Sequence, residues 1–557
     1  MIKKLLNQKF FIISYVLIFL YSLFLVPENI SYIVDGSYMH LVNSMINNGT
    51  TDQPHYLYGS FPIYITLIFF YFFGNLKFFY IPIYLCSFIL VFNIHKISQT
   101  CINYFDISNT LFKKFFIVAP SFLFLSSFSF YYNLINSISH IYGSIFFWSA
   151  TFFYLDLKLN NQKVNSKKNF YILGILTGIS ASCLYYYGII LFIIYLFELI
   201  DKNRKLIYLV VNTGLISLIT FIIFNFYPII NYEEIFKWLK VNINLAGEAE
   251  YKFSQNLFFR FLYNSFILEY GFFQYFLSLI GLVYLLLNKK KYFIYFILCN
   301  VFLIFFYVFI FQFNKLHYVI HFIPALCFLS FLGICFIQKI FNNFFISSVI
   351  IVIIFILNTS SLIEMYKIYK KDHTYEISKK LFEQKKYFFG SETKIFCMWC
   401  DPYITHFYDT KKLIRNLDKD ISSSNIDLII FDTHANGKFL NDRVNFIPSD
   451  PYYLRSIKEF ENFDSYFVLI INPFKEKYLK DNWFLTKFEK SLFENVKKKV
   501  TRGPLIEMYF KNKNLRDDLY IICKSMYNEV CLKKRGKDNY IINATRKKYV
   551  KLLKTLD

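Results

Sequence analysis

Long apolar segments separated by short polar loops repeat along the first two thirds of the chain. Examples are the runs from Leu206 to Tyr227, from Tyr292 to Phe313 and from Phe344 to Leu362. Each is about 20 residues long, which is the length that an apolar helix needs to cross a bilayer core about 30 Å thick. The pattern therefore predicts a multi-pass membrane protein.

The full set of apolar segments predicts an all-α polytopic domain with about 11 to 12 transmembrane helices. The first, Phe10 to Val26, lacks a small-residue cleavage site, which indicates an uncleaved helix. The others lie at 61–73, 78–95, 113–131, 140–157, 170–184, 186–200, 206–228, 268–287, 292–312, 317–338 and 343–363. Segment 61–73 is short and is bounded by Pro62 and Gly74, so we expect it to be re-entrant or to cross only part of the bilayer.

The basic loops predict the orientation in the membrane. Lysines are concentrated at 113–114, in the loop 158–168, at 202–205 and at 289–291, and loops rich in Lys and Arg stay in the cytoplasm. The loops 28–60 and 231–265 then lie outside the cell. If segment 61–73 is not a full crossing, the C-terminal part of the chain also lies outside.

The pattern changes after residue 365, where the apolar runs become short and alternate with charged, helix-compatible stretches. We predict three regions: a transmembrane domain over 1–365, a soluble α/β domain over 366–532 and a basic tail over 533–557. The strand candidates are Ile395–Trp399, Ile426–Phe431, Tyr466–Ile471 and Leu505–Phe510. The basic tail is typical of a solvated helix face or of a segment that lies on anionic lipid.

Composition supports the membrane assignment. Of 557 residues, 56% are hydrophobic, 22% are aromatic and only 18% are charged, which excludes a disordered chain, a collagen and an ordinary cytosolic enzyme. The net charge of +23 does not predict a nucleic-acid partner, because it sits largely in short loops and no groove-reading motif is present. The predicted partner is the lipid bilayer of the cell (inner or plasma) membrane.

Four of the ten cysteines lie in the predicted α/β domain. Cys397 and Cys400 form a CxxC pair, and Cys523 lies close in sequence to Cys531. They are compatible with two local disulfides if the domain is outside, with free thiols, or with a four-thiolate zinc site if it is inside. A thioredoxin-like redox role for the CxxC pair is the least supported alternative.

The first outside loop contains the most informative acidic residue. Asp35 follows the first predicted helix closely, so it lies near the bilayer surface, where an acid is costly unless it works or is paired. It is placed to act as a general base or a metal ligand on a lipid-linked substrate. The alternative is a structural role, as the N-cap of a short helix from Gly36 to Ile46.

Several motifs occur in a fixed order along the transmembrane domain. Asp35 is followed by a Pro- and aromatic-rich stretch and then by an apolar run that ends in Phe-Gly; two later stretches contain paired glycines and a His-Tyr motif. The stretches are Gln53–Tyr56, Tyr58–Tyr64, Phe72–Gly74, Gly174–Ser180 and His317–Ala325. In this order, over roughly residues 10 to 365, the chain resembles the GT-C class of polyprenyl-phosphate-sugar-dependent glycosyltransferases, in the protein O-mannosyltransferase and aminoarabinose-transferase-like branches.

The resemblance implies a polyprenyl-phosphate sugar as donor and an acceptor, a glycan, a lipid or a protein, on the extracytoplasmic face. Such a transfer needs a base for the acceptor and cations for the departing phosphate. Asp35 is the candidate catalytic base, and Lys315 and His317 are the candidate phosphate ligands. Further candidate substrate-binding residues are His40, Asp52, His55, Tyr58, Arg260 and Tyr318.

The chain departs from the family pattern at specific positions. The family has a second acid in these loops, whereas Asp35 is followed by Gly36 and the stretch 132–140 contains no carboxylate. The sequence therefore gives little support for a divalent metal cofactor such as Mg or Mn, although Asp52, or a histidine such as His140, is available as a further ligand. His317 replaces the family's Arg, and His321 replaces its first motif Pro.

Three functions are compatible with the sequence. An integral membrane glycosyltransferase agrees best with the early acid. An O-antigen ligase or polymerase would concentrate Arg and His in its outside loop, whereas the loop 231–265 contains mainly Arg260. A transporter or flippase of lipid-linked precursors would place charge at the bilayer midplane, for which Glu198, near a helix end, is the nearest candidate.

Overall fold

The computed structural model describes two separate sets of residues, one mainly helical and one containing a sheet. The described residues are 59–73, 81–105, 116–136, 138–160, 166–201, 205–230, 270–287, 291–310, 316–372, 466–472 and 505–535, with shorter pieces at 12–13, 15–16, 20, 232–233, 374, 377–378, 380–381, 395–397, 413–414, 428–432 and 500–501. The chain divides into two compact units, and the transmembrane one ends at Glu364 while the other includes Met365–Asp557.

The first unit is built from apolar helices. In chain order they are α1 Phe61–Phe73, α2 Ile81–Tyr104, α3 Ala119–Leu125, α4 Phe128–Asn136, α5 Ile138–Leu159, α6 Lys167–Cys183, α7 Ile189–Ile200, α8 Leu206–Ile230, α9 Phe272–Leu287, α10 Lys291–Ile304, α11 Ile323–Phe341 and α12 Phe344–Tyr369. Three irregular helical turns lie between them: a 3-10 helix at Tyr185–Gly188, a π-helix at Phe305–Ile310 and a 3-10 helix at Leu316–His321, called here the 316–321 turn.

Within the described residues, 4 helices are long and apolar enough to cross a membrane. They are Ile81–Tyr104, Leu206–Phe226, Ile323–Phe341 and Phe344–Ile368, and shorter apolar helices occur at Tyr185–Ile200, Phe272–Leu287 and Phe293–Tyr307. The predicted polytopic membrane fold is confirmed, whereas the total of about 11 to 12 crossings stays a prediction.

The predicted single helix over 113–131 is wrong. The structure contains two short helices instead, α3 and α4, separated at Ser126 and Ser127. The Ser127 hydroxyl donates to the Phe124 carbonyl at 2.8 Å and accepts from the Phe130 amide at 3.2 Å. A serine that bonds to its neighbouring backbone in this way ends one helix and starts the next.

Close contacts between helices depend on glycines. A Cβ atom on Gly281 of α9 would lie 1.9 Å from the Leu329 carbonyl oxygen of α11, and one on Gly178 of α6 would lie 2.6 Å from the Ser217 carbonyl oxygen of α8. Backbones therefore meet directly at both crossings, as small residues allow in membrane bundles. Gly178 belongs to the stretch Gly174–Ser180, which contains the paired glycines.

The second unit contains a six-stranded sheet with the order β2-β1-β3-β5-β4-β6. The strands are β1 Ile395–Cys397, β2 Leu413–Ile414, β3 Leu428–Asp432, β4 Phe467–Ile471, β5 Ile506–Phe510 and β6 Cys531–Arg535. β1 pairs in parallel with β2 and β3, and the remaining pairs are antiparallel. The predicted α/β class of this domain is confirmed.

One helix of the second unit, α13 Lys513–Met526, packs on the antiparallel part of this sheet. The Asn512 side chain caps it by accepting from the Asn514 amide at 2.9 Å. Arg516 Nη1 donates to the Lys534 carbonyl at 2.9 Å, and a disulfide joins Cys523 of α13 to Cys531 of β6. Of the alternatives that the sequence left open for these two cysteines, the structure contains the disulfide; Cys400 lies outside the described residues.

Candidate functional site

The predicted site residues fall into two groups. Seven lie outside the described residues: Asp35, His40, Asp52, His55, Tyr58, Arg260 and Lys315. The other two, His317 and Tyr318, lie in the 316–321 turn, where the structure describes their backbone only. All nine roles stay predictions. The part of the candidate site whose geometry the structure describes is the surroundings of the 316–321 turn.

Gly59 and Ser60, the last two residues of the predicted outside loop 28–60, are described and contact two helices of the bundle. The Gly59 amide donates to the Cys183 carbonyl at the end of α6 at 3.0 Å. A Cβ atom on Gly59 would lie 1.9 Å from the Ser182 carbonyl oxygen, so glycine is required for this approach. The Ser60 amide donates to the Asn225 side-chain oxygen at 3.1 Å, where α8 is kinked. The end of the loop is therefore attached to α6 and α8.

Phe61, the next residue, connects the end of this loop to α5. Its ring packs edge-on against Tyr142 at 5.7 Å and Phe146 at 5.3 Å, measured between ring centroids. Both belong to the first turns of α5, the helix that also contains His140. The end of the loop and the N-terminal end of α5 are thus neighbours, and we call this region the His140 end of the bundle.

Two histidines meet at the His140 end. His140 Nδ1 and His321 Nε2 share a hydrogen bond of 2.9 Å, and the other ring nitrogen of His321 is hydrogen-bonded to the Tyr187 hydroxyl. Both histidine side chains are buried. Because neutral imidazole carries one donor and one acceptor, His321 joins two partners on two different elements without needing a charge.

Tyrosines continue this hydrogen-bonded chain. The Tyr187 and Tyr307 hydroxyls lie 3.3 Å apart, and the Tyr307 and Tyr186 hydroxyls lie 2.6 Å apart. The Tyr307 ring is stacked on the His321 ring, with centroids 4.5 Å apart. Tyr186 is half-buried, so the chain of side chains runs from the interior toward the surface. Five side chains from four elements form one network.

One face of α5 contacts the end of the 316–321 turn. His140, Ser144 and Trp148 are spaced four residues apart and so lie in one row along the helix. The Ser144 hydroxyl donates to the Ile320 carbonyl at 2.9 Å, and Trp148 Nε1 donates to the His321 carbonyl at 2.7 Å. All three side chains of the row therefore bond to the last two residues of the turn.

The opposite end of α5 carries charges instead. Lys158 Nζ lies 2.5 Å from Glu198 Oε1 and 3.0 Å from Asp201 Oδ2, and Tyr154 donates a hydrogen bond to Glu198. Glu198, the residue that left the transporter alternative open, is buried in an ion pair two residues before the end of α7. We call this region the Lys158 end.

The structure brings together some residues that the sequence singled out and others that it did not. His140 was considered only as a nitrogen ligand, and His321 only as a departure from the family motif; they contact each other. Tyr187, Tyr307 and Ser144 were not predicted. The sequence signal that could have identified Ser144 is the spacing of four residues between His140, Ser144 and Trp148 of α5. Among the described residues, no group of three or more His, Cys, Asp or Glu side chains could hold a metal ion.

Comparisons with known proteins give a structural likeness. No protein-family model matches the sequence. No curated protein sequence matches it either. The chain is similar to the archaeal oligosaccharyltransferase AglB from Archaeoglobus fulgidus, solved in complex with an inhibitory peptide and a dolichol-phosphate, with 12% identity, a TM-score of 0.50 and coverage of 85% of this chain and 74% of that chain.

The apo form of the Archaeoglobus fulgidus enzyme gives the same identity and TM-score, 12% and 0.50, over 84% of this chain and 73% of that chain. ArnT from Cupriavidus metallidurans, bound to undecaprenyl phosphate, is 9% identical and covers 91% of this chain and 98% of that chain, with a TM-score of 0.46. The likeness to the oligosaccharyltransferase shows the fold: the chain has the GT-C fold of polytopic membrane glycosyltransferases.

Proposed function

We propose that this protein is an integral membrane glycosyltransferase that transfers a sugar from a polyprenyl-phosphate donor to an acceptor on the extracytoplasmic face. The observation that carries the proposal is the network at the His140 end, which terminates on the 316–321 turn. This turn contains the first residues of the His317–Ala325 motif, which resembles a motif of GT-C enzymes. The solved oligosaccharyltransferase of similar fold contains a dolichol-phosphate, which supports a lipid phosphate as donor carrier.

In the proposed reaction, the Asp35 carboxylate takes the proton from the acceptor group. The acceptor atom forms a bond to the anomeric carbon of the sugar while the bond from that carbon to the phosphate oxygen breaks. The electron pair leaves with the phosphate, so polyprenyl phosphate is released with an added negative charge. Lys315 and His317 stabilise this charge, because cations placed at a departing phosphate lower the barrier of such a transfer.

The remaining candidates have binding roles in this proposal. His40, Asp52, His55 and Tyr58 belong to the same outside loop as Asp35 and bind the sugar or the acceptor. Arg260, from the loop 231–265, and Tyr318, from the 316–321 turn, complete the donor site. The acceptor in this proposal is a glycan, a lipid or a protein.

Two observations support the proposed orientation. The lysine-rich loops follow the Lys158 end of α5 and precede α10, so the positive-inside rule places that end in the cytoplasm and the His140 end outside. The disulfide between Cys523 and Cys531 is typical of an oxidising compartment, which supports an extracytoplasmic second unit. The proposed location is therefore the cell membrane, with the active site and the C-terminal domain facing outward.

The test is the release of free polyprenyl phosphate from a panel of polyprenyl-phosphate sugars. Purified wild-type protein, Asp35→Asn, Lys315→Ala and a chelator-treated sample are compared at equal amounts of folded protein. We expect release by the wild type and none by Asp35→Asn, because asparagine keeps the shape and the capping oxygen of the side chain but not its basicity. We expect Lys315→Ala to raise the donor KM, and the chelator arm measures metal dependence.

Three results would contradict this proposal in different ways. Full release by Asp35→Asn would make Asp35 a helix cap. Unchanged donor dependence in Lys315→Ala would remove that residue from the phosphate site. Absence of release from every donor, with folded protein and with glycan, lipid and peptide acceptors supplied, would reject the glycosyltransferase itself in favour of a polymerase or a transporter.

A further inference from the structure

We infer that one row of α5, formed by His140, Ser144 and Trp148, positions the 316–321 turn so that His317 meets the donor phosphate. This inference rests on the proposed function, because it gives that site a supporting structure. The three residues are positioning residues: they act through the turn and do not touch the donor. We call these three residues the α5 row.

The need for the α5 row follows from Pro324. In a continuous α-helix the Ile320 carbonyl would accept a hydrogen bond from the amide of residue 324, four positions later. Proline has no amide hydrogen, so Pro324 cannot supply that bond. A buried carbonyl without a donor is unfavourable, and Ile320 is buried. The Ser144 hydroxyl supplies the missing donor at 2.9 Å.

The next carbonyl is held by the same helix. Trp148 Nε1 donates to the His321 carbonyl at 2.7 Å, one turn further along α5. Trp148 and Ser144 are both buried, so water does not compete for these carbonyls. Two side chains of a single rigid helix therefore fix two consecutive carbonyls of the turn. These bonds set the position of the turn along the axis of α5 and its rotation relative to that helix.

The side chain of His321 provides the third attachment. Its ring is hydrogen-bonded on one side to His140 and on the other to Tyr187, and its face is stacked on Tyr307. These partners belong to α5, to the 3-10 helix Tyr185–Gly188 and to the π-helix Phe305–Ile310. Three elements thus hold the last residue of the turn.

The attachment of Ile320 and His321 also affects the position of the first residues of the turn. His317 lies four positions before His321, and a 3-10 helix rises about 2.0 Å per residue. The fixed end is therefore separated from His317 by about 8 Å of short helix along its axis. A change in the attachment of Ile320 and His321 moves or tilts the segment that carries the candidate phosphate ligand. Catalytic geometry tolerates little such movement, since a misplacement of about 1 Å costs about a hundredfold in rate.

The experiment measures binding of undecaprenyl phosphate and of undecaprenol to purified full-length protein in nanodiscs. The difference between the two affinities isolates the phosphate. Ser144→Ala removes the donor to Ile320. The matched control is Ser149→Ala, because Ser149 is equally buried on the same helix but donates to the Ile145 carbonyl of that helix at 2.6 Å.

We expect Ser144→Ala to raise the Kd for undecaprenyl phosphate about tenfold and to leave the Kd for undecaprenol unchanged. Ser149→Ala should change neither by more than about twofold, although both variants lose a buried hydroxyl. If Ser144→Ala fails to fold, Trp148→Phe tests the neighbouring attachment of the turn, because it removes the indole N–H that donates to the His321 carbonyl and keeps an aromatic ring.

A double-mutant cycle separates positioning from general stabilisation. In a His317→Ala background, Ser144→Ala should have no further effect on the Kd for undecaprenyl phosphate, because the residue through which it acts is gone. Independent effects that simply add would overturn the inference, as would an unchanged Kd in Ser144→Ala. A wild type that does not prefer undecaprenyl phosphate over undecaprenol would instead contradict the proposed function, on which the inference depends.

Discussion

The two ends of α5 pair their buried polar groups by different kinds of interaction. Both bury polar groups among apolar helices. At the His140 end, histidines and tyrosines are joined by hydrogen bonds that need no net charge. At the Lys158 end, a lysine faces the carboxylates of Glu198 and Asp201.

The interactions at the two ends differ in how strongly they depend on the angle between the interacting groups. An ion pair requires that both charges be present, since removal of one leaves the other buried without compensation. An ion pair tolerates changes in the angle between its two charged groups. A hydrogen bond to a carbonyl weakens steeply when its angle changes, so it fixes the orientation of the backbone that it contacts. We therefore expect the Lys158 end to contribute mainly to stability and the His140 end mainly to the geometry of the 316–321 turn.

The largest loss of stability is expected when the ion pair between Lys158 and Glu198 is removed. Lys158→Met should lower the free energy of unfolding by about 3–5 kcal/mol, because the buried Glu198 loses the cation that lies 2.5 Å from its carboxylate. Adding Glu198→Gln should recover most of this loss. Thermal unfolding of the detergent-solubilised protein measures both.

The control for Lys158→Met is Lys339→Met, which replaces an exposed lysine in the last turn of α11. Equal destabilisation by Lys158→Met and Lys339→Met would mean that the buried ion pair contributes nothing. In the folded fraction of Lys158→Met, the affinity for undecaprenyl phosphate should equal that of the wild type. A loss of that affinity would remove the proposed separation between the two ends.

An intermediate effect is expected at the His140 end. Tyr187→Phe deprives both His321 and the Tyr307 hydroxyl of a hydrogen-bond partner and should cost about 1–3 kcal/mol of stability. It should also weaken binding of undecaprenyl phosphate, measured in nanodiscs alongside the unfolding experiment. Tyr295→Phe is the matched control, since Tyr295 is a fully buried tyrosine of α10 that packs against Tyr154, toward the Lys158 end. Equal phosphate affinity in the two variants would contradict a role for Tyr187 in the site.

The smallest loss of stability is expected when only the longer of the two Lys158 contacts is changed. Asp201→Asn should cost about 1 kcal/mol or less, because Asp201 is partly exposed and Lys158 keeps its shorter contact with Glu198. The stability order should therefore be Lys158→Met, then Tyr187→Phe, then Asp201→Asn, in thermal unfolding under one set of conditions. A larger loss in Asp201→Asn than in Lys158→Met would show that Asp201, not Glu198, is the principal partner.

Segment prediction succeeded where hydrophobicity alone decides helix formation. The run 206–228 corresponds to α8, Leu206–Ile230, and the run 343–363 to α12, Phe344–Tyr369. It failed at 113–131, because the hydrogen bonds of Ser127 break an apolar run that hydropathy treats as uniform. The apolar pattern also did not predict the irregular turns at 185–188, 305–310 and 316–321, which contain Tyr187, Tyr307 and His321 of the hydrogen-bonded network.

The membrane class, the positions of most apolar helices, the α/β domain and the motifs that resemble GT-C enzymes could all be predicted from the amino-acid sequence. These properties depend on local hydrophobicity and on residue order, which can be taken directly from the chain. The contact between His140 and His321, 181 residues apart in sequence, and the hydrogen bond by which Ser144 replaces the donor that Pro324 lacks became visible only in the folded chain. Such contacts depend on how helices pack and rotate against each other, and one sequence contains no local record of that arrangement.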